Sequence, residues 1–131
     1  MIFLDTGYFK GLYDKNDFHH ETSLRIKDYL EKSNEATVIN TTVLVETLNG
    51  SVGTRISVKE LYDELHDENQ VIELTKKDYL KSVEVNSWFG NSLNYNDCTI
   101  FNTMMEMGIH KIVSFDGCFR KINSLHVIYA I

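Results

Sequence analysis

Five short apolar runs punctuate this chain: residues 2–5 (IFLD), 36–39 (ATVI), 71–74 (VIEL), 111–115 (KIVSF) and 126–129 (HVIY), with helix-length stretches between them. Strands this short and apolar are buried on both faces, and their alternation with helices points to a mostly parallel sheet covered on each side. Helices are expected over 6–12, 18–33, 41–49, 54–67, 76–89 and 97–107, with a short turn at 117–122. Proline is absent, so helix ends must be set by Gly, Asn and capping side chains. The fold expected is a three-layer α/β/α domain with a mostly parallel sheet of about five strands, filling residues 1–131 as one unit.

In such sheets function gathers at the carboxyl ends of the strands. Two of these runs end on or beside an acid, Asp5 in MIFLDTGYF and Asp116 in KIVSFDGCF. A carboxylate beside a buried strand is costly unless something compensates it. Helix N-caps are the plain alternative for both, since Asp accepts N–H bonds from a following helix. A third acid, Asp97, opens NDCTIFNTMMEMG. At about 100° per residue it falls at the centre of an apolar half formed by Cys98, Ile100, Phe101, Met104, Met105 and Met107. Thr99, Asn102, Thr103 and Glu106 fill the other half. Asp97 is also in the first turn, where capping remains open. The fourth acid, Glu46, shares a helix face with Thr42 and Asn49 in NTTVLVETLNG, and that helix also starts at the carboxyl edge of the sheet. On helical geometry alone Glu46 could simply be solvated.

Composition removes several function classes. A hydrophobic share of 43% suits a folded globule. No apolar run approaches the ~20 residues of a membrane span. The start lacks the basic and long apolar regions of a secretory signal, so a cytoplasmic protein without membrane contact is expected. Cys98 and Cys118 have neither metal-ligand nor disulfide-framework spacing and read as buried thiols in a reducing cytoplasm. The net charge of −6 argues against a generic nucleic-acid coat, whose affinity comes from phosphate neutralisation. It does not exclude an enzyme whose acids hold cations, because those ions reverse the local sign.

Taken in order, Asp5-Thr6 after a first strand, Glu46 in a Thr-rich helix, NDC opening an apolar helix and SFDGCF near the end resemble a PIN domain of the virulence-associated VapC toxin type. The segment NDFHHE, residues 16–21, matches an Asp/His-rich helix start often seen there. The resemblance spans nearly the whole chain. It departs from the family at Asn96, where Ser or Thr often precedes the third acid, and at Gly117-Cys118, where many members carry a polar or basic pair.

The resemblance implies that Asp5, Glu46, Asp97 and Asp116 form a catalytic, metal-binding set, with Thr6 and Ser114 as hydroxyls behind them. Oxygen-only ligands suit Mg²⁺ or Mn²⁺, and grouped carboxylates repel unless protonated or bridged by a cation. The implied activity is endoribonuclease hydrolysis of RNA, by the toxin of a toxin–antitoxin pair. The implied partners are an RNA substrate, an antitoxin protein and a second copy in a homodimer. The stripe Ile56, Leu61, Tyr62 and Leu65 would serve the last two, or would be core. His19 and His20 read as structural rather than metal ligands. Lys10, Arg55, Lys59, Arg120 and Lys121 are open to RNA phosphates or to plain solvent. Two other classes stay in view. One is a non-catalytic PIN module binding RNA or a protein. The other is a phosphotransferase using Asp5, which would want a second Asp where Gly7 stands.

Overall fold

A computed structural model describes residues 1–50 and 55–131. In chain order the elements are β1 (Ile2–Leu4), α1 (Thr6–Tyr13), α2 (His20–Ser33), β2 (Thr37–Asn40), α3 (Thr41–Asn49), α4 (Val58–Glu68), β3 (Gln70–Ile72), α5 (Lys76–Trp88), α6 (Tyr95–Met107), β4 (Lys111–Val113), α7 (Gly117–Arg120) and β5 (His126–Ile128). The strands form one sheet in the order β3-β2-β1-β4-β5, and every pairing is parallel.

That order places a topological switch at β1. The chain first winds from β1 through β2 to β3, then returns to the other side of β1 for β4 and β5. Ligand sites of open α/β sheets lie at such a point, outside the carboxyl ends of the strands. Pairing of Leu4 with Val113 sets the register between β1 and β4, and the Asp5 N–H donates to the Val113 carbonyl at 3.0 Å. Continuing that register past the strand ends sets Asp5 opposite Ser114.

The central strands carry the core. Ile2, Phe3, Val38, Ile39, Ile112 and Val113 are fully buried, as the apolar runs require of strands covered on both faces. Truncating Phe3 to Ala would cost about 3–5 kcal/mol, the usual range for emptying a buried aromatic position. Without proline, most helix starts are made as expected by Asn, Asp, Ser or Thr side chains, α2 excepted, where His19 makes no capping bond. Asn40 caps α3, Ser57 caps α4, Thr75 and Asp78 form a capping box on α5, and Gly108 ends α6 at φ 67°.

Three local differences from the sequence reading have physical causes. The helix expected over 54–67 begins at Val58, because Ser57 accepts from the Glu60 N–H and starts it there; Thr54 lies outside the described residues. Helix α6 starts at Tyr95 because Asn94 caps it, its side chain accepting from the Asp97 N–H at 2.8 Å. And α6 is buried nearly all round, so Thr99, Asn102 and Thr103 are as inaccessible as its apolar face. Thr99 and Thr103 are tied into the interior: Thr99 and Thr42 hydroxyls lie 2.7 Å apart, and the Asn40 amide donates to Thr103 Oγ1 at 3.1 Å. Polar residues at helical spacing can thus be the inner face when the neighbouring helix offers partners.

Candidate active site

The first site residue is placed by β1. Asp5 follows the strand directly and caps α1, its Oδ1 accepting from the Thr6 N–H at 2.8 Å. Its Oδ2 accepts from the Ser114 hydroxyl at 2.7 Å, and Ser114 in turn accepts from the Asp116 N–H at 3.1 Å. One hydroxyl therefore links the two strand-end acids. Asp116 caps α7 through the Cys118 N–H at 2.9 Å. The capping alternative thus holds for both residues as geometry, yet it does not disperse them: a carboxylate has two oxygens, and each cap uses only one.

Helix α6 brings in Asp97. With Asn94 as the cap, Asp97 is relieved of that task and its carboxyl is free to face Asp5 and Asp116. Glu46 arrives through the packing of α3 against α6. Thr42 meets Thr99, and one turn further along α3 and one turn back along α6 Glu46 meets Asn96, so the two helices run antiparallel. Glu46 is half-buried rather than solvated. Its Oε1 accepts from the Thr6 hydroxyl at 2.9 Å and its Oε2 from the Asn96 amide at 3.1 Å. Thr6 and Ser114 thus stand behind Glu46 and Asp5 respectively. Asn96, noted in the sequence only as a departure, is an added contact of the site. Its amide does the donating that a shorter hydroxyl would have to reach further to supply.

The electrostatics show four acids sharing one small region. Burial pushes the Asp5 carboxyl up to about 6, against the pull of its bonds from Ser114 and Thr6, and the charges of Glu46 and Asp116 push the same way. Burial likewise raises Asp97 to about 7, helped by the charges of Asp5 and Asp116, by a shared proton with Asp116, and by Glu46. Asp116 moves in the other direction. Burial opposes its charge, but the Cys118 contacts, the proton held by Asp97 and the nearby Arg120 outweigh it. Asp97 and Asp116 therefore titrate as a pair, in which Asp97 is pushed up and Asp116 down.

The hydrogen bonds to these acids come from hydroxyls, one amide side chain and backbone N–H groups, all neutral. Among the described residues, no three His, Cys, Asp or Glu side chains stand in an arrangement that would itself hold an ion. The donor set still fits a hard divalent cation: it is all oxygen, and its surplus negative charge is what such an ion neutralises.

Other sequence candidates sit elsewhere. His20 Nδ1 lies 2.7 Å from the Gly11 carbonyl, and His19 stacks on Phe115. Lys59 pairs with Asp63 on its own helix, and Lys10 lies 3.8 Å from Asp17. Leu61 and Leu65 are core, Ile56 packs against it and Tyr62 is exposed. Both cysteines are free; Cys98 is buried as expected, but Cys118 is only half-buried, because it lies in the short helix α7 just after the Asp116 cap. Among the described residues, no helix is long and apolar enough to cross a membrane.

A parallel sheet with acids gathered at its switch point, one from each of two strand ends and two from flanking helices, defines a class of α/β domain. The chain belongs to the PIN domain family, whose pattern it matches over residues 2–125. No curated protein matches it. Solved structures share the fold. VapC20 of Mycobacterium tuberculosis, a sarcin–ricin-loop-cleaving toxin, is 22% identical at a TM-score of 0.70, over 92% of this chain and 93% of its own. VapBC2 from Rickettsia felis, bound to a DNA fragment from its promoter, is 18% identical at a TM-score of 0.70, over 98% of each chain. FitAcB from Neisseria gonorrhoeae is 14% identical at 0.65, over 97% of this chain and 96% of that one.

Proposed function

We propose that this protein is a divalent-metal-dependent endoribonuclease that hydrolyses RNA phosphodiester bonds, and that it is the toxin of a toxin–antitoxin pair. The observation that carries the reading is the proximity of Asp5, Glu46, Asp97 and Asp116 at the carboxyl edge of the sheet, with two of them pushed to about 6 and about 7 by burial and one another. Family membership and the likeness to a toxin that cleaves the sarcin–ricin loop support the nuclease assignment. Likeness to VapBC2 and FitAcB supports an antitoxin partner.

Asp5, Glu46, Asp97 and Asp116 would hold Mg²⁺ or Mn²⁺, directly or through water. The bound ion would orient and acidify the attacking water and neutralise charge on the phosphoryl oxygens. The chain's own residues supply the rest. Ser114 and Thr6 fix Asp5 in one orientation by two bonds, so its carboxylate needs no reorganisation when substrate arrives. Thr6 and Asn96 do the same for Glu46. Asp97 and Asp116 would stand ionised as ligands in the loaded site, and hydrolysis would proceed by attack of water on phosphorus with departure of the 3′-oxygen, which takes up a proton from solvent. The products would be a 5′-phosphate and a 3′-hydroxyl.

Incubating total RNA with the protein in Mg²⁺, Mn²⁺ or EDTA tests this reading. Discrete cleavage in metal, none in EDTA and none with Asp97→Asn is the expected result. Absence of cleavage with either metal would overturn it. A non-catalytic module binding RNA or a protein is the second reading, favoured by the hydrogen bond that each Glu46 oxygen already accepts within the protein. A Mn²⁺ titration separates the two, because such a module has no use for the ion.

A further inference from the structure

Phe18 and His19, just ahead of α2, and Phe115, just after β4, form a ladder of three aromatic side chains whose inner end neighbours the site acids in the chain. Phe115 lies between Ser114, which donates to Asp5, and Asp116. It packs against the start of α1, where a Cβ on Gly7 would meet its ring at 3.5 Å. The His19 ring stacks flat on Phe115, with centroids 4.0 Å apart and planes 7° apart. Phe18 meets His19 edge-on, 5.0 Å between centroids at 89°. Phe115 and His19 are half-buried, but Phe18 is 93% exposed, more than any other large hydrophobic side chain described. The turn that carries it is held in place: Asp17 Oδ1 accepts from the His19 N–H at 2.9 Å, and Lys10 lies 3.8 Å from the other Asp17 oxygen.

A fully exposed phenylalanine contributes nothing to the core and leaves apolar area in water. At the outer end of this stack its ring is open to a ligand with a flat face. Unpaired nucleobases of single-stranded RNA are recognised in this way, by stacking on aromatic side chains next to a site that engages the backbone. This rests on the nuclease reading for the identity of the polymer. Arg120 donates to the Phe115 carbonyl at 3.4 Å and lies 4.0 Å over the Tyr129 ring.

We infer that Phe18, with His19 and Phe115 behind it, is a stacking platform for an unpaired base of the RNA next to the bond cut at the acid cluster. Phe18 is thereby a substrate-positioning residue that selects unstructured or splayed RNA over duplex. Since stacking has little base preference, the platform sets strandedness more than sequence.

The test uses single-stranded RNA hexamers carrying 2-aminopurine, whose fluorescence is quenched on stacking, titrated with the full chain in EDTA. Parent protein is expected to quench the probe, and the same sequence locked in a duplex is not. Phe18→Ala should weaken binding by about five- to a hundredfold, the loss of one base–aromatic stack, and abolish most of the quench. Phe18→Trp should retain both, and Phe18→Leu should behave like Ala although it keeps apolar bulk. The residue is exposed, so these variants should melt as the parent does. Equal affinity and quench in Phe18→Ala, or no quench by the parent, would overturn the platform. So would a parent dimer that Phe18→Ala splits in sedimentation while RNA affinity stays constant, since the ring would then be a protein contact. A parent that stacks RNA in EDTA but never cuts it in Mn²⁺ removes the nuclease reading and leaves the platform. One that cuts with unchanged kcat/KM in Phe18→Ala does the reverse.

Discussion

The Ser114 hydroxyl donates to Asp5 Oδ2 at 2.7 Å across 109 positions of sequence, and both groups are buried. That bond is one of two holding down the pKa of a carboxylate that burial pushes up. It ties the end of β4 to the end of β1 at the point where the sheet changes winding direction.

Ser114→Ala should therefore leave a buried carboxylate oxygen without its donor. The expected cost is about 1–3 kcal/mol at pH 8, where Asp5 is ionised, and less at pH 5, where it is protonated. RNA cleavage should fall at least tenfold, because Asp5 loses its orientation and gains a higher pKa. Denaturant unfolding at the two pH values, beside cleavage in Mn²⁺, reads both effects. Equal stability loss at pH 5 and pH 8 would mean that the bond does not discriminate the charged form.

The site acids should not respond alike to neutralisation. Asp5 and Asp97 are held above the ordinary carboxylate range, so Asn at either removes a disfavoured charge; metal-free stability should be unchanged or raised by ~0.5–2 kcal/mol. Asp116 is held below that range and caps α7, so Asp116→Asn should be neutral or mildly destabilising. All three should nearly abolish cleavage. Unfolding in EDTA separates the signs, and any variant that cuts at the parent rate removes its residue from the site.

Stability of the metal-free protein should rise on acidification. Asp5 and Asp97 titrate at about 6 and about 7 when folded, against an ordinary 3.8. Between pH 4 and 7 the folded chain therefore binds more protons than the unfolded one. The contribution is fully present below pH 4 and is lost as pH rises through 6 and 7. It amounts to about 2–3 kcal/mol if Asp5 dominates. The melting midpoint in EDTA should increase from pH 8 to pH 5.5. Saturating Mn²⁺ should raise the midpoint at pH 8 by mass action and flatten this dependence, because the cation favours the ionised acids. A midpoint in EDTA that falls over this range would contradict the burial of these charges.

RNA binding should depend only shallowly on salt. With 19 acidic against 13 basic residues the chain releases few counterions on binding, so the slope of log affinity against log salt for Asp97→Asn should correspond to only a few phosphates. Filter binding from about 50 to 200 mM salt measures it. A steep slope would reveal a basic groove.

The elements were legible because each is written within a few residues of itself. Apolar runs such as IFL and KIV mark β1 and β4, and 3.6-residue spacing marks α3 and α6. Asp5 and Asp116 stand out in the sequence for a physical reason, because a carboxylate beside a buried strand demands an explanation, whereas Glu46 and Asp97, open to solvation and to capping, join them only through the resemblance to the PIN family. What those acids touch was not legible. That Ser114 reaches Asp5, that Asn96 steadies Glu46 and that Asp97 comes close enough to Asp116 to shift its ionisation all follow from the strand order β3-β2-β1-β4-β5 and from α3 lying antiparallel to α6. The inward turn of Thr99 and Thr103 and the stacking of His19 on Phe115 have the same origin. Local periodicity determines whether a segment is strand or helix and which of its faces is apolar. Contacts between segments are decided only when the sheet assembles, because burial of those faces selects one register out of many and brings side chains a hundred residues apart to hydrogen-bond distance.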